Sequence, residues 1–583
     1  REEKNRWSLL SFFETLTVLV SKRKRHIAVF GKSGFFGYTI SGAEGTFGSE
    51  SSYQGRSNMT VKNFLFILVF RYLILLSTET WFVPDEYFQC TEVAYGMIYG
   101  KAHLSWEWQG SEPLRSILHP LVVALFYKIY QFLGSDSTLT VRLLPNMIHS
   151  FLFAISDLFY IKLCNRIFFA NPRGKAFTLI LYGTNWFLIY CSSRPMANCV
   201  ELCLTIIALN WYPLYLDEIN PRTESNKRRQ KSFVPYMVIG TIAILIRPTA
   251  VLIWGMLGLR HLYQSNKKIN LILTAIPSLL IPVIISILMD SNFQTPLKFP
   301  LLNFAKFNFF GGGSAHFGVH PWYWYIIDGL LLTSTGTYFL ATGGYILQKE
   351  GSVNRSPPTI LFETAIFYII IHSWLPHKEH RFVLPVIGLI MPFAGLFLQF
   401  MSTKMPKIAK GLIFLIIMVN LISAFFFCRI HQRGTIDAAK DIAKDISTKS
   451  PNTLTHIVQL MPCYSMPQYA YFHKLKIRHH MLDCTPNLKN SNNYEEESEI
   501  FHMDPVKFFT PSRIDKYLMH KYAYVVIYKK TYHRMAVMLK ETGYRVWRTY
   551  QHTPVPSSVN QDTVLLVLKR FLLSRCQLCR GNP

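Results

Sequence analysis

An acidic segment directly after the first long apolar run of this chain carries side chains that could remove a proton. Residues 82–92 contain the carboxylates Asp85, Glu86 and Glu92, and Glu107 follows shortly after them. Carboxylates beside a bilayer are costly unless they are solvated or paired, so such a cluster indicates a functional site. A carboxylate held beside a hydroxyl group can act as its general base. We predict that Asp85 is this base and that Glu86 orients the site or contacts an acceptor, although the sequence leaves their roles interchangeable.

The same segment has the features of a helix that lies along a membrane surface. Pro84 suits the first helical position, and Asp85 then falls in the first turn, where the helix dipole favours negative charge. Asp85, Gln89, Glu92 and Gly96 follow one another at helical spacing, which places them on one face. We predict a helix with an acidic edge. The alternative is that the carboxylates do no more than cap this helix.

Aromatic side chains accompany the acidic segment. Trp106 and Trp108 flank Glu107 in the sequence. Flat aromatic rings stack on sugars, although tryptophan also accumulates at membrane interfaces for other reasons. We predict that Glu92, Trp106, Glu107, Trp108 and His320 line the path of a sugar or of its acceptor.

Cationic residues lie at the ends of other apolar runs. Residues 377–381 read His-Lys-Glu-His-Arg between two such runs, and Arg194 and Arg247 each precede a proline within apolar surroundings. A single basic residue at such a place often snorkels toward the interface. Carboxylates and cations on one side of a membrane suit an attacking hydroxyl and a departing phosphate, whose growing charge arginine and lysine stabilise. The residues predicted to bind this phosphate are Arg247, His377, Lys378 and Arg381.

The chemistry that this arrangement suits is the direct transfer of a sugar. One carboxylate opposite the leaving group implies an inverting displacement without a covalent intermediate on the enzyme. The acidic loop contains no Asp-x-Asp motif. A lipid monophosphate needs no metal in order to leave, so we predict neither a metal site nor a cofactor.

Composition places the chain among polytopic membrane proteins. Of its 583 residues, 50% are hydrophobic and 15% are aromatic, while only 16% are charged. Runs of about 18 or more apolar residues predict membrane-spanning helices. The net charge of +27 is spread over short loops, where it orients spans and meets anionic lipid. A nucleic-acid binder concentrates such charge in one soluble patch, so we exclude nucleic acid as a partner and expect membrane lipid.

The apolar runs predict a mainly α protein with ten to twelve transmembrane helices in a membrane domain of residues 59–428. The candidate spans are residues 61–78, 116–133, 141–163, 175–192, 197–216, 233–260, 269–289, 322–346, 359–376, 382–400 and 410–428. Residues 233–260 are long enough for two short passes broken at Arg247-Pro248. Basic loops favour the cytosol, which places everything after residue 428 in the lumen. The acidic loop of residues 79–115 is lumenal as well, with the basic loop of residues 217–232 in the cytosol, if residues 233–260 cross twice and residues 116–133 do not cross.

The remaining residues fall into three parts. Residues 429–570 read as a small soluble α/β domain that packs against the membrane domain or caps its cleft. Its predicted strands are residues 522–528, 544–550 and 563–568, and its predicted helix is residues 533–542. Cys463 and Cys484 can pair there if this domain is lumenal. Residues 1–58 read as a disordered or non-native extension, and residues 571–583 as a tail.

Motifs in a fixed order along the chain resemble a known family. They are Val83-Pro84-Asp85-Glu86, Ser105-Trp106-Glu107-Trp108, Leu114-Arg115-Ser116, Leu245 to Ala250, His320 to Tyr325, His377 to Phe382 and Leu460 to Ser465. They resemble the dolichyl-phosphate-mannose-dependent α-mannosyltransferases of the endoplasmic reticulum. Within this family the chain is most similar to the branch that adds the third mannose of the glycosylphosphatidylinositol (GPI) core.

The resemblance implies a membrane fold of the GT-C type with its active site in the lumen of the endoplasmic reticulum. It also implies dolichyl-phosphate-mannose as donor, a dimannosylated GPI precursor glycolipid as acceptor and an α1,2 linkage. A sibling that adds the fourth GPI mannose, or that acts on the lipid-linked N-glycan precursor, is the alternative. A transporter is the rival from another class, but transporters place polar residues at the bilayer midplane and often repeat their halves. A receptor leaves the acidic loop and its matching cations unexplained.

Overall fold

The structure is a computed structural model. It describes residues 61–109, 113–221, 232–293, 299–310, 313–351, 357–449, 451–487 and 496–571. These residues belong to one compact unit. The predictions for residues 1–58, and for all but the first residue of the tail, lie outside the described ranges.

The described chain up to residue 429 is helical. A helix satisfies its backbone hydrogen bonds within one segment, which is what an apolar stretch in lipid requires. The helices are α1 (Val61–Ser77), α2 (Glu92–Tyr99), α3 (Leu118–Phe132), α4 (Thr138–Ile167), α5 (Pro172–Thr184), α6 (Trp186–Cys191), α7 (Ala197–Leu209), α8 (Leu216–Ile219), α9 (Val234–Ile246), α10 (Val251–Gln264), α11 (Lys268–Phe293), α12 (Pro300–Ala305), α13 (Leu330–Thr333), α14 (Thr337–Lys349), α15 (Ile360–Trp374), α16 (Leu384–Lys404) and α17 (Pro406–Arg429). Short π or 3₁₀ turns lie at Tyr87–Thr91, Trp106–Trp108, Pro248–Ala250, Lys306–Phe310, Gly313–Phe317, Tyr325–Gly329 and His380–Val383.

Four helical stretches among the described residues are long and apolar enough to cross a membrane. They are Thr138–Ile167, Lys268–Ser291, His380–Lys404 and Pro406–Lys449. Shorter apolar helices accompany them at Ala197–Leu209, Val234–Ile246 and Ile360–Trp374. The prediction of ten to twelve spans therefore stays a prediction.

The long run of residues 233–260 is broken at Arg247, as predicted. Helix α9 ends at Ile246, and Arg247 has the extended backbone angles φ −138° and ψ 105°. The residue before a proline is disfavoured in the helical region, and Pro248 itself offers no N–H to continue the ladder. Arg247 therefore lies between the end of α9 and the start of α10, and its side chain is buried.

Helix α16 is the centre of the helical part, and most of its residues are buried. It packs closely against α14 at Gly344 and against α5 through its own Gly395. A Cβ at Gly344 would overlap the carbonyl oxygen of Phe393, and one at Gly395 would overlap the Thr178 hydroxyl. Small residues allow such close helix packing within a membrane, where packing rather than water drives association.

The C-terminal part is a mixed five-stranded sheet with helices on both faces. Its elements are α18 (Gly434–Lys449), β1 (Thr455–Leu460), β2 (Ile477–Met481), α19 (Glu497–Met503), α20 (Pro505–Phe508), α21 (Pro511–Tyr517), β3 (Ala523–Tyr528), α22 (Lys529–Glu541), β4 (Tyr544–Gln551) and β5 (Val564–Arg570). The strand order is β2-β1-β3-β5-β4. Strand β1 runs parallel to β2 and β3, while β5 is antiparallel to β3 and β4. Successive strand residues face opposite sides, so Val526 joins the core with α18 and Val525 joins the core with α22.

The sheet domain packs on the acidic loop. Trp81, Tyr87 and Phe88 belong to the same hydrophobic core as the α18 face of the sheet. The hydroxyls of Tyr87 and Tyr471 lie 3.3 Å apart. The loop that carries the predicted base is therefore fixed between the helical part and the C-terminal domain.

Candidate active site

A cavity of about 600 Å³ opens where the acidic loop, the α15–α16 connection and the C-terminal domain meet. The predicted site residues that line it are Asp85, Trp106, Glu107, Arg247, His377 and Arg381. The predicted site residues outside its lining are Glu86, Glu92, Trp108, His320 and Lys378. The structure therefore brings together one candidate base and most of the candidate phosphate ligands.

Asp85 forms an ion pair with Arg381 at the wall of the cavity. Arg381 also donates from Nε to Glu379 Oε2 at 2.7 Å and from Nη2 to Glu379 Oε1 at 2.6 Å. His377 Nε2 lies 2.8 Å from Glu379 Oε1. Burial opposes the ionisation of Glu379, but Arg381 and His377 together hold its pKa well below the usual range. Arg381 thus joins two cavity carboxylates, of which the sequence predicted only Asp85.

Glu86 lies in a buried ion pair outside the cavity. Its Oε2 accepts a hydrogen bond from Arg194 Nη1 at 2.7 Å, and both side chains are 2% exposed. Arg194 also donates to the carbonyl oxygens of Tyr190 and Thr80, at 3.0 and 2.9 Å. Burial raises the pKa of Glu86, and Arg194 opposes that rise. The pair connects the acidic loop to the turn between α6 and α7.

Glu107 lines the cavity within a second polar network. Its Oε1 accepts from Arg115 Nη2 at 2.6 Å, and its Oε2 accepts from Gln89 Nε2 at 2.9 Å. Arg115 and Gln89 also line the cavity, as does the neighbouring Trp106. The sequence prediction included Glu107 and Trp106 but not Arg115 or Gln89. Arg115 belongs to the resembling motif Leu114-Arg115-Ser116, and Gln89 lies at helical spacing from Asp85, so the sequence carried a signal for both.

Trp108 and Glu92 lie elsewhere than the prediction placed them. The Trp108 indole is buried and donates to the Phe88 carbonyl oxygen at 3.1 Å. Glu92 is fully buried, and its Oε1 accepts from the backbone N–H groups of Gln468 and Ala470 at 3.0 and 3.3 Å. Burial raises the pKa of Glu92 to about 7, although these hydrogen bonds oppose the rise. Glu92 therefore fastens the C-terminal domain to α2.

A π-helical turn at Tyr87–Thr91 accounts for the position of Glu92. A π turn holds one residue more than an α turn. Each extra residue rotates everything after it by about 100° around the helix axis. Asp85 and Gln89 therefore lie on the helix face toward the cavity, whereas Glu92 lies on another face and contacts the C-terminal domain.

Arg247 reaches the cavity from the break between α9 and α10. Its Nε lies 3.3 Å from Glu201 Oε2, with both groups buried. Its guanidinium carbon lies 4.8 Å from the ring centre of Phe382. Arg247 is also within electrostatic reach of Arg381 and Arg115. Three arginines therefore converge on one cavity, and each has a carboxylate partner.

Lys378 and His320 join two loops beside the cavity. Lys378 Nζ donates to the carbonyl oxygens of Leu375 and His320, at 2.6 and 3.1 Å. The backbone N–H of His320 donates in turn to the Pro376 carbonyl oxygen at 3.0 Å. Burial lowers the pKa of Lys378. The structure thus directs the Lys378 ammonium at backbone oxygens and not at the cavity.

The C-terminal domain supplies one wall of the cavity. Cys463 and Cys484 form a disulfide, and both line the cavity with Tyr464. The Tyr464 ring packs on Phe88 with ring centres 4.8 Å apart. Glu496 lies on the same wall, where burial and two neighbouring carboxylates raise its pKa to about 7. The domain therefore both packs against the acidic loop and covers its cleft.

Two groups of described residues have the donor atoms and spacing for a metal ion, and both lie away from the cavity lining. They are Cys90 with His119 and His149, and His456 with His480 and His520. In the first group, the Nε2 atoms of His119 and His149 lie 2.8 Å apart. The cavity carboxylates Asp85, Glu107 and Glu379 instead contact arginine side chains.

The cavity thus places carboxylates and arginines together beside a bundle of apolar helices. Such a site can take a proton from a hydroxyl and stabilise an anionic leaving group. The fold is similar to that of ArnT from Cupriavidus metallidurans, solved with undecaprenyl phosphate. The TM-score is 0.54 at 12% identity, with 88% of this chain and 98% of that chain covered. The fold is therefore of the GT-C type, in a chain with several helices apolar enough to cross a membrane.

The chain belongs to the Alg9-like mannosyltransferase family, whose sequence pattern matches residues 62–473. GPI alpha-1,2-mannosyltransferase 3 of Homo sapiens is 30% identical over 513 residues, which cover 87% of each chain. Mannosyltransferase APTG1 of Arabidopsis thaliana is 31% identical over 492 residues, covering 80% of this chain and 85% of that one. The predicted helical GT-C fold and the predicted mannosyltransferase class are confirmed.

Proposed function

We propose that this chain transfers mannose from dolichyl-phosphate-mannose to the second mannose of a GPI precursor. The product carries the third mannose of the GPI core in α1,2 linkage. The likeness to relatives named GPI alpha-1,2-mannosyltransferase 3 over most of both chains supports the acceptor and the linkage. The observation that carries the chemistry is the Asp85–Arg381 pair at the cavity wall, because it sets a base beside a binding group for phosphate.

In the proposed reaction, Asp85 takes the proton from the acceptor hydroxyl while the hydroxyl oxygen attacks C1 of mannose. The bond between C1 and the phosphate oxygen breaks, and its electron pair leaves with dolichyl phosphate. Attack opposite the leaving group inverts the configuration at C1. A positioned carboxylate of this kind typically contributes ~10²–10⁴-fold to the rate.

Arg247 and Arg381 are the proposed ligands of the departing phosphate. Both line the cavity, and charge-assisted hydrogen bonds from guanidinium groups to phosphate are short and strong. Because Arg381 already contacts Asp85 and Glu379, an incoming phosphate competes with Glu379 for it. His377 supports this exchange through its contact with Glu379. The guanidinium groups supply the positive charge that the leaving group needs, so the proposed reaction uses no cofactor.

In this proposal the other predicted site residues position the loops of the site or contact the acceptor sugar. Glu86 holds the acidic loop through Arg194, and Lys378 holds the His320 loop to the α15–α16 connection. Trp106 and Glu107 line the cavity and are the proposed contacts of the acceptor sugar.

We further propose that the enzyme resides in the endoplasmic reticulum membrane with the cavity in the lumen. The disulfide between Cys463 and Cys484 supports this orientation, since disulfides form in oxidising compartments. The basic loops of the sequence favour the same arrangement.

The test of the proposal is complementation of cells that lack the third GPI mannosyltransferase. Lipid analysis of their precursors is expected to show the dimannosylated species disappear when this chain is expressed. Accumulation of the dimannosylated species despite normal expression of the chain contradicts the proposal. Rescue of cells lacking the fourth GPI mannose, or of an N-glycan precursor defect, would then point to a sibling activity.

A further inference from the structure

The cavity contains buried polar atoms without hydrogen-bond partners. Ser314 Oγ and His372 Nε2 have no partner among the described residues, and both side chains line the cavity. Ser314 is 4% and His372 is 1% exposed. Buried polar groups are nearly always satisfied, because an unpaired one costs free energy. The hydroxyl oxygens of Ser105 and Thr249, which also line the cavity, are unpartnered among the described residues as well. Several such atoms on one cavity indicate a ligand that completes them.

The geometry of His372 fixes which kind of group it can bind. Its Nδ1 lies 3.0 Å from the carbonyl oxygen of Tyr368 in the same helix. A carbonyl oxygen only accepts, so Nδ1 carries the proton and Nε2 of the neutral ring presents a lone pair. His372 therefore offers the cavity a hydrogen-bond acceptor.

Two hydroxyl groups complement this acceptor. Ser314 lines the cavity, and so does Thr249, whose side chain lies close to the Tyr368 phenol. A hydroxyl both donates and accepts. One acceptor and two hydroxyls match the hydroxyl groups of a sugar, each of which can also donate and accept.

The proposed reaction involves two sugars, the hexose of the donor and the terminal mannose of the acceptor. The proximity of these groups to Arg247 indicates which of the two sugars they bind. Thr249 follows Arg247 by two residues, and His372 lies within electrostatic reach of Arg247. In a glycosyl phosphate a single oxygen atom joins the sugar ring to phosphorus. A phosphate bound at Arg247 therefore brings its own sugar next to Thr249 and His372.

We propose that Thr249, Ser314 and His372 form the subsite for the hexose of the donor and select that hexose through its hydroxyls. This inference rests on the proposed function and deepens it. It separates the donor site into an anion part at Arg247 and Arg381 and a sugar part at these three residues. The two parts predict different responses to a ligand that has the phosphate but lacks the sugar.

The experiment compares sugar-bearing and sugar-free ligands in membranes that contain the full-length enzyme. It measures the KM for dolichyl-phosphate-mannose and the inhibition constant of dolichyl phosphate for wild type, Ser314→Ala and His372→Phe. Loss of one hydrogen bond to a buried group is expected to raise the KM about tenfold. The inhibition constant of dolichyl phosphate is expected to stay within about twofold, because its phosphate contacts are intact. Equal weakening of both ligands, or of neither, overturns the inference.

His261→Phe is the matched control. His261 is also buried with an unpartnered Nε2, but it lies in α10 outside the cavity lining. Its substitution is expected to leave the ratio of the two constants unchanged. If His372→Phe does not fold, Ser314→Ala carries the test, since it removes one oxygen atom. A wild type that transfers no mannose contradicts the proposed function, whereas an active wild type with an unchanged ratio in the variants contradicts this inference alone.

Discussion

At the scale of single residues, Asp85 and Glu86 are neighbours in the chain but lie in different environments. The Asp85 side chain is 13% exposed and faces the cavity, whereas Glu86 is 2% exposed and bound to Arg194. Successive residues of a helical turn point about 100° apart, so one faces the cavity and the next faces the protein interior. A general base has to reach the hydroxyl that it deprotonates, which favours Asp85.

Asp85→Asn is expected to lower mannose transfer by ~10²–10⁴-fold while the folded protein accumulates normally. The amide keeps the size of the side chain but cannot take up the proton. Transfer is measured in membranes with labelled dolichyl-phosphate-mannose. Asp328→Asn is the control, because the Asp328 carboxylate also lies beside a nitrogen side chain, His380 at 3.6 Å, but outside the cavity lining. Unchanged transfer in Asp85→Asn rules out its role as the base.

Glu86→Gln is expected to reduce the amount of folded enzyme. Removing one partner of a buried ion pair leaves an uncompensated charge and costs about 3–5 kcal/mol. The thermal stability of the detergent-solubilised protein measures this loss. Adding Arg194→Met to Glu86→Gln removes the stranded charge, so the double variant is expected to recover part of the stability. A stable Glu86→Gln protein without transfer activity would instead move the base to Glu86.

The sequence predicted those site residues that can be recognised from their own charge, without knowing which residues they contact in the fold. Asp85, Arg247 and Arg381 were predictable because charge within apolar surroundings is rare and costly. The part played by Glu379 was not predictable, since its ion pair with Arg381 depends on the fold of the α15–α16 connection. The same holds for Lys378, whose ammonium turns toward backbone oxygens that no sequence pattern shows.

At the scale of elements, the acidic helix shows where a periodic sequence pattern predicts correctly which side chains share a face and where it does not. Regular α-helical spacing correctly put Asp85 and Gln89 on one face. It put Glu92 on that face as well, because the spacing rule assumes 3.6 residues per turn throughout. The π turn at Tyr87–Thr91 breaks that assumption. No residue type in this turn requires a π conformation, so the turn could not be predicted from the residues.

The buried Glu92 predicts a pH dependence of stability. Burial raises its pKa in the folded protein from 4.5 to about 7. Between these values the folded state keeps a proton that the unfolded state releases, so stability falls as pH rises through this window. The slope is at most about 1.4 kcal/mol per pH unit. Glu92→Gln keeps an acceptor for the Gln468 N–H but cannot titrate. The melting temperature of this variant is therefore expected to depend less on pH than that of the wild type between pH 5 and 7, the window that the pKa shift of Glu92 defines. Identical slopes in both proteins contradict this assignment.

The disulfide is expected to stabilise the cavity wall formed by the C-terminal domain. It closes a loop with a sequence separation of 21, for which chain entropy predicts about 3 kcal/mol. The double variant Cys463→Ser with Cys484→Ser is therefore expected to be cleaved faster by protease in this domain and to transfer mannose more slowly. Cys428→Ala removes a buried free thiol instead and is the control. Equal protease resistance in the wild type and the double variant would show that the wall is held by packing alone.

At the scale of the whole molecule, apolar runs and turn residues predicted the class of fold. They also predicted the last three strands and the helix between them, which the structure confirms at β3, α22, β4 and β5. Strands β1 and β2 were missed, because His456, Gln459 and the histidines of β2 interrupt any simple alternation of apolar and polar residues. The pairing of β1 with β2 and with β3 joins distant parts of the chain, and single segments carry no information about it.

The proposed orientation predicts which loops meet the glycosylation machinery of the lumen. An acceptor sequon inserted in the exposed loop of residues 554–560 is expected to be glycosylated in cells. A sequon inserted in the basic stretch of residues 222–231 is expected to remain unmodified, because basic loops favour the cytosol. Glycosylation is read as a mass shift that a glycosidase removes. The opposite pattern would invert the topology.

The construction of the cavity from distant parts of the chain has a consequence for shortened forms of the protein. The carboxylate at position 85 and the wall at positions 463–499 are joined only after synthesis has passed the last long apolar helix. A product that stops near residue 430 keeps the described helices up to α17. It nevertheless lacks one side of its reaction chamber and the backbone partners of Glu92. Premature stop codons between residues 430 and 463 should therefore behave as complete loss-of-function alleles.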